Sequence, residues 1–479
     1  MGTPVHPSFE AHGIEIKTPS DPDWGFYSST YNVCVPVTPK IVILPATVEQ
    51  VSLAVIHASS LGLTIQARSG GHSYASHSSG GIDGSAVVDL RKLQDVELVG
   101  NGIVRVGGGV RLGNLARIIF EQHGRALTHG TCPAVGVGGH FTHGGFGMAS
   151  RAWGLSMDQI VALDVVTADG KLVRASASEN ADLFYAMRGA ADSFGIVVNF
   201  YLQTQPAPDS VVKFTINVKA AMKSVSNAVQ TFQHIQSFSN DRSAIDRRTG
   251  FVLFFSHERF SIDGIYLGDL EAFISTVLPP LLAGFPQDDT TLVDISVTDW
   301  VASLQLLSGG VSLKVGPEYE EHHAFYAKGG PVAHPGVSAE ALEKYFTHIL
   351  REGPKAPVEY FLGAQLYGGY DSQITARSKD EHAAEDSFAH RDAMWMFQHY
   401  GHAKDGEEFP AEGYSFVQGV HDALGAVSCA YNNYPDPLLE PGKALKMYYK
   451  EKLPRLVALK GVLDPDNVFA HPQSVPKLL

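Results

Sequence analysis

Three cysteines in 479 residues, Cys34, Cys132 and Cys429, are too few and too odd in number for a disulfide framework. At least one thiol stays free, and Cys34 and Cys429 read as small buried apolar residues. No apolar run approaches the roughly 20 residues that cross a bilayer, which argues against a membrane-spanning chain. Positive charge is scarce as well: 36 Lys and Arg stand against 50 Asp and Glu, a formal net charge of −14. Nucleic-acid and anionic-membrane partners need a basic surface, so both are excluded as expectations. The stretch up to Asp21 lacks the apolar segment of a signal peptide, and no Asn-x-Ser/Thr sequon occurs. The compartment stays open: intracellular as the chain stands, secreted if a signal was removed.

What the chain does contain is a globular composition, 44% hydrophobic and 18% charged, at a length that calls for two domains. Short β-type runs at Ile41–Pro45, Thr64–Ala67, Ala86–Asp89 and Ile103–Val106 alternate with helical patterns at Thr47–Ser60 and Leu112–His123. Thr47 is suited to cap the first helix. Ile160–Val166 and Lys171–Val173 flank an Asp-Gly turn and read as a hairpin. Asn180–Met187 reads as a short helix and Ile196–Leu202 as a strand. After Gln205-Pro206-Ala207-Pro208 the elements lengthen: strands at Val212–Val218, Gly250–Ser256 and Glu359–Tyr367, and helices at Ser224–Gln236 and Leu267–Thr276. A single amphipathic helix is expected over Pro441–Lys460. The class is α+β, with boundaries at 1–205, 206–424 and 425–479.

The 48 glycines are unevenly spread, densest between Gly70 and Gly147. Two loops there carry a reactive side chain among paired glycines. One is Arg68-Ser69-Gly70-Gly71-His72-Ser73-Tyr74. The other runs His129-Gly130-Thr131-Cys132-Pro133-Ala134-Val135-Gly136-Val137-Gly138-Gly139-His140 and on to Gly147. Paired glycines let backbone N–H groups approach an anionic or planar ligand, as a dinucleotide pyrophosphate requires. An imidazole and a thiolate are side chains suited to attack an electron-poor ring carbon. The alternative of a zinc site at His129, His140 and His143, with His322 and His323, needs a helix that the glycine density disfavours; no metal is expected.

These loops, with Tyr431-Asn432-Asn433-Tyr434-Pro435-Asp436 and Leu463-Asp464-Pro465-Asp466-Asn467-Val468-Phe469 near the C-terminus, resemble the berberine-bridge-enzyme-like branch of the vanillyl-alcohol oxidase/p-cresol methylhydroxylase superfamily. Within it, the likeness is greatest to fungal oligosaccharide oxidases. The resemblance implies a two-domain fold, in which a central antiparallel sheet covered by helices forms the substrate domain. It also implies FAD attached twice, through His72 to the 8α-methyl carbon and through Cys132 to C6. Arg68, Ser69, Gly70, Gly71, Ser73, Gly136, Gly138, Gly139 and His140 would wrap the cofactor. Asp158 and Gly195-Ile196-Val197 would lie along its ribose and adenine. The glycine run before that last segment is degraded here to Gly189-Ala190-Ala191-Asp192-Ser193-Phe194-Gly195. Val135 matches the position that gates O2, and its β-branched side chain implies an oxidase producing H2O2.

By the same resemblance Tyr434 is the base that takes the hydroxyl proton of a CH–OH substrate. Relatives pair this tyrosine with an aspartate, where the present chain has Gln365. An amide can hydrogen-bond a phenol but adds no charge, so Tyr367 and Tyr431 join Tyr434 and Gln365 as catalytic candidates. Tyr74 and Gln398 are expected to touch substrate. The strand Phe251-Val252-Leu253-Phe254-Phe255-Ser256 is more aromatic than a sugar-binding wall. A carbohydrate or related alcohol is therefore the leading substrate, and an aromatic or alkaloid-like secondary metabolite, oxidised or oxidatively cyclised, the alternative. A monomer acting on a small molecule and O2 is expected.

Overall fold

The computed structural model describes residues 7–286, 291–380 and 385–478. Short apolar runs build three main sheets. Glu15–Lys17, Ile41–Leu44, Ala86–Asp89 and Ile65–Arg68 form the first in that order, with the last three strands parallel. All four residues of Ile41–Leu44 and of Ala86–Asp89 are buried, as parallel strands covered on both faces require. The second sheet is antiparallel, in the order Val96–Gly100, Ile103–Gly107, Ile196–Gln203, Ile160–Val166 and Leu172–Ser176. The helix Val48–Ser60 starts where Thr47 Oγ1 accepts from Gln50 N at 3.3 Å.

The third sheet has seven antiparallel strands, ordered Thr291–Thr298, Val211–Val218, Phe260–Tyr266, Thr249–Phe255, Glu359–Leu366, Ala393–His402 and Phe325–Ala333. Alternation along each strand decides its two faces. Phe251, Leu253, Phe255, Leu362, Ala364, Leu366, Trp395 and Phe397 point into a core shared with the helices Val225–Asn240, Ala339–Glu352 and Ala411–Leu424. Val252, Phe254, Phe361, Gly363, Gln365 and Gln398 point the other way and line a cavity. The architecture is α+β, as the sequence implies.

Two helical expectations need correction. The stretch Pro441–Lys460 is two helices, Pro441–Tyr449 and Leu453–Leu463, because Lys450 turns to φ +47°. Pro454 explains the break: its ring would clash with the carbonyl of Lys450 in a continuous helix, and it lacks the N–H to bond it. The helix expected at Leu267 begins at Leu270 and passes through a wider π-type turn at Phe273–Val277, ahead of the N–H-less pair Pro279-Pro280. Cys34 and Cys429 are also only half-buried, not interior, and all three thiols are free. Among the described residues no helix is long and apolar enough to cross a membrane.

Candidate active site

The two glycine loops meet in the lining of a cavity of about 750 Å³, within the roughly 300–1,000 Å³ usual for small-molecule and cofactor sites. Their backbones touch: a Cβ on Gly70 would sit 2.1 Å from Gly136 N. Glycine is required at both positions for that approach. Arg111 ties the loops together, donating to Gly70 O at 2.8 Å and Ala134 O at 2.7 Å. Ser69 Oγ accepts from Gly138 N at 3.1 Å. This packing brings His72 and Cys132 side by side, with Glu321 as a third neighbour. One ligating atom of each lies within 4.8 Å of the others.

Burial, with smaller contributions from Arg111 and His323, lowers the His72 imidazole to about 3. The ring is therefore neutral at physiological pH and keeps a nucleophilic lone pair. It stacks on Tyr31 with centroids 4.4 Å apart. Cys132 stays exposed, but desolvation by the surrounding loops still raises its thiol, so the thiolate is a minor species unless a base takes the proton.

At the sheet wall, Gln365 Nε2 donates to Tyr434 Oη at 2.8 Å. Tyr434 stacks on Tyr74 at 5.8 Å, and Gln398 Nε2 donates to Tyr74 Oη at 3.1 Å. Burial, then Tyr74 and Tyr431, push the Tyr434 phenol well above its ordinary value, which the Gln365 bond offsets only in part. Tyr431 Oη accepts from Gly145 N at 2.9 Å and Asn433 Nδ2 at 3.1 Å, so it holds the end of the Cys132-bearing segment in place. Tyr367 lies fully buried behind the lining, stacked on Phe146 at 4.7 Å.

Of the residues expected at the site, Ser69, Gly70, Gly71, His72, Ser73, Tyr74, Cys132, Val135, Gly136, Gly138, Gly139, His140, Gly195, Val197, Gln365, Gln398, Tyr431 and Tyr434 line the cavity. Four do not. Arg68 is drawn away by Tyr27 O at 2.6 Å and Ser78 O at 3.2 Å, and supports its loop from behind. Asp158 is sequestered by Arg391 at 2.6 Å and Arg377 at 3.0 Å. Ile196 falls on the opposite face of its strand from Val197 and joins another core. Tyr367 lies past the end of its strand, so the alternation carrying Phe361, Gly363 and Gln365 into the cavity no longer applies. A short helix does form at Val137–Thr142 despite Gly138 and Gly139, contrary to expectation. It does not assemble zinc ligands: His140 Nε2 accepts from Gly130 N at 2.9 Å and His129 Nδ1 bonds Gly130 O at 2.7 Å.

The sequence reading missed Asp192, which enters the cavity from the degraded glycine run. His143 lies 3.4 Å and His471 3.1 Å from its carboxylate. Burial opposes its charge, but the two imidazoles outweigh burial and hold it well below the usual range. The replacement of glycine by an acid in that run was the available signal. Tyr31 and Glu321 gave none, because their proximity to His72 comes from tertiary packing.

The donor set suits a flavin dinucleotide. Two nucleophiles converge where one ring could meet both, and the glycine cradle lies beside them. A Cβ on Gly139 would meet nothing within 4 Å, which leaves that backbone open to a ligand. Gln365 Oε1 and Asn432 Oδ1, on cavity-lining residues, are buried without a hydrogen-bond partner among the described residues. Comparison with known proteins agrees. Residues 39–176 match the FAD binding domain family and residues 430–476 the family described as berberine and berberine like. The chain is 32% identical to a chitooligosaccharide oxidase of Gibberella zeae, covering 96% of this chain and 93% of that protein. It is 34% identical to a xylooligosaccharide oxidase of Thermothelomyces thermophilus, over 96% and 92%. A solved glucooligosaccharide oxidase from Acremonium strictum, described as carrying a 6-S-cysteinyl, 8α-N1-histidyl FAD, superposes with TM-score 0.91 at 28% identity, covering 99% of this chain and 100% of that one. With both ends matched and relatives alike over nearly the full length, this chain belongs to the berberine-bridge-enzyme-like family of FAD-linked oxidoreductases.

Proposed function

We propose that this protein is an oxidase that holds FAD through both His72 and Cys132 and oxidises a CH–OH group of a carbohydrate or related alcohol. The observation that carries the reading is the convergence of a neutral imidazole and a thiol in the lining of a cavity that also carries the Tyr434–Gln365 pair. A flavin held there would supply the two-electron acceptor for the substrate hydride, with O2 as the final oxidant and H2O2 as the product. The protein's work is positioning and proton transfer. Segments 1–205 and 425–479 hold the cofactor, while 206–424 supplies the substrate wall. Tyr434 Oη accepts the hydroxyl proton, with Gln365 Nε2 stabilising the phenolate by hydrogen bonding. Gln398 holds Tyr74, whose ring packs against Tyr434 and fixes its plane. Val135, short and β-branched, leaves O2 a path to the cofactor.

Mono- and disaccharides should yield H2O2, and the absence of peroxide with every sugar would defeat the carbohydrate assignment. The aromatic lining by Phe254, Phe361, Tyr31 and Tyr74 favours a second reading, an oxidase or oxidative cyclase of an aromatic secondary metabolite. Peroxide from aromatic alcohols alone would select it.

A further inference from the structure

We propose that Glu321 is the base that drives covalent attachment of the flavin, an inference that rests on the double linkage proposed above. The segment 318–321 carries three glutamates with different employment. Glu320 pairs with Arg91 at 2.9 Å and Glu318 with the same guanidinium at 3.7 Å. Glu321 turns away from Arg91 and toward the site. Its Oε2 lies 3.8 Å from His72 Nε2, and a carboxylate oxygen lies within 4.8 Å of Cys132 Sγ. Tyr319 Oη donates to the other carboxylate oxygen and fixes the group's orientation.

The placement is built into the fold from two sides. Arg111, which clamps the His72 and Cys132 loops, also donates to Tyr319 O at 2.9 Å, so one guanidinium holds all three segments. On the far side His323 N donates to Tyr31 O at 2.8 Å and Val33 N donates to His323 O at 3.0 Å. His322 Nδ1 reaches Thr30 O at 2.8 Å. This bracing joins the acidic segment to the strip whose Tyr31 stacks on His72.

The chemistry needs such a group. Each attachment breaks one C–H bond of the flavin, forms one C–N or C–S bond, and removes one proton from the protein nucleophile. Each attachment thus leaves two electrons and two protons, which one O2 takes as H2O2, so the double linkage consumes two O2. The loops around it and the Glu321 charge raise the exposed Cys132 thiol, so it is mostly protonated and a nearby proton acceptor speeds bond formation to sulfur. Glu321 is that acceptor. At His72, a carboxylate facing Nε2 favours the proton on that nitrogen, leaves Nδ1 to form the bond, and receives the Nε2 proton afterwards.

The test follows attachment itself. Full-length protein produced with limiting riboflavin is given excess FAD in air, and flavin at His72 and Cys132 is quantified over time by acid precipitation and peptide mass. Glu321→Gln should slow attachment about 100-fold, the lower end of general-base effects. Glu318→Gln, which removes an exposed neighbouring carboxylate facing Arg91, should attach at the wild-type rate. Glu321→Asp, which keeps a carboxylate at shorter reach, serves if the Gln variant does not fold and should also attach more slowly. Wild-type rates in Glu321→Gln, or in Glu321→Asp where it stands in, would overturn the role of Glu321. Wild-type protein carrying no covalent flavin would instead overturn the double-linkage reading.

Discussion

At the scale of single residues, the pair Tyr434–Gln365 sets the expected catalytic behaviour. A phenol raised by burial, with an amide for its partner, is a weak source of phenolate at neutral pH. The rate of flavin reduction should therefore climb with pH and show no plateau below about pH 10, the ordinary phenol value. Gln365→Glu puts a carboxylate of the same reach beside the phenol and should flatten that profile above about pH 6; an unchanged profile would contradict the assignment. Tyr434→Phe should lower the reduction rate by roughly 10²–10⁴ and leave flavin content intact, as stopped-flow spectra would show. The residues of this pair were legible in the sequence because each sits in a local motif, an Asn-Tyr near the C-terminus and a strand ending at Gly-Gly. Asp158 and Arg68 were misplaced for the opposite reason. Their partners, Arg391 and Tyr27 O, come from distant segments, and a charged residue beside a motif gives no sign of which way it is pulled.

At the scale of elements, the site depends on two loops in backbone contact. Gly70→Ala would drive a Cβ to 2.1 Å from Gly136 N, so the loops must separate. We expect a lower melting temperature together with loss of covalent flavin, whereas Gly139→Ala, which meets nothing within 4 Å, should retain its fold. Strand and helix positions were largely readable, since alternation and capping are local: Thr47 caps as expected, and Phe361, Gly363 and Gln365 share the cavity face. What was not readable followed from competition between local rules. The amphipathic pattern of Pro441–Lys460 continues through Pro454, yet the proline's missing N–H and its ring break the helix at Lys450. The helix Val137–Thr142 forms against its glycine content because tertiary contacts hold it, among them Gly138 N to Ser69 Oγ and Val137 N to Val110 O at 2.9 Å.

At the scale of the whole molecule, a buried ionic cluster links the residues just before the Ile160–Val166 strand to the distant segment 377–391. Arg391 bonds Asp158 at 2.6 Å and Asp386 at 2.8 Å, and Arg377 adds to Asp158 at 3.0 Å. Burial would raise the Asp158 carboxyl, but the two guanidiniums outweigh it and hold it below its usual value. Because the folded value lies below the unfolded one, the stabilisation is full above about pH 4 and is lost as pH falls through the folded value. Asp158→Asn should remove roughly 3–5 kcal/mol, the cost of leaving a buried guanidinium short of its partner, and should weaken the acid dependence of denaturant midpoints. The proposed flavin linkage at both His72 and Cys132 is a property of the intact molecule. It is tested most directly by peptide mass of acid-precipitated protein from wild type, His72→Ala and Cys132→Ala. We expect a yellow wild-type pellet with one flavin crosslinking both peptides, and one remaining link in each single variant. A colourless wild-type pellet, with all flavin released to the supernatant, would contradict it.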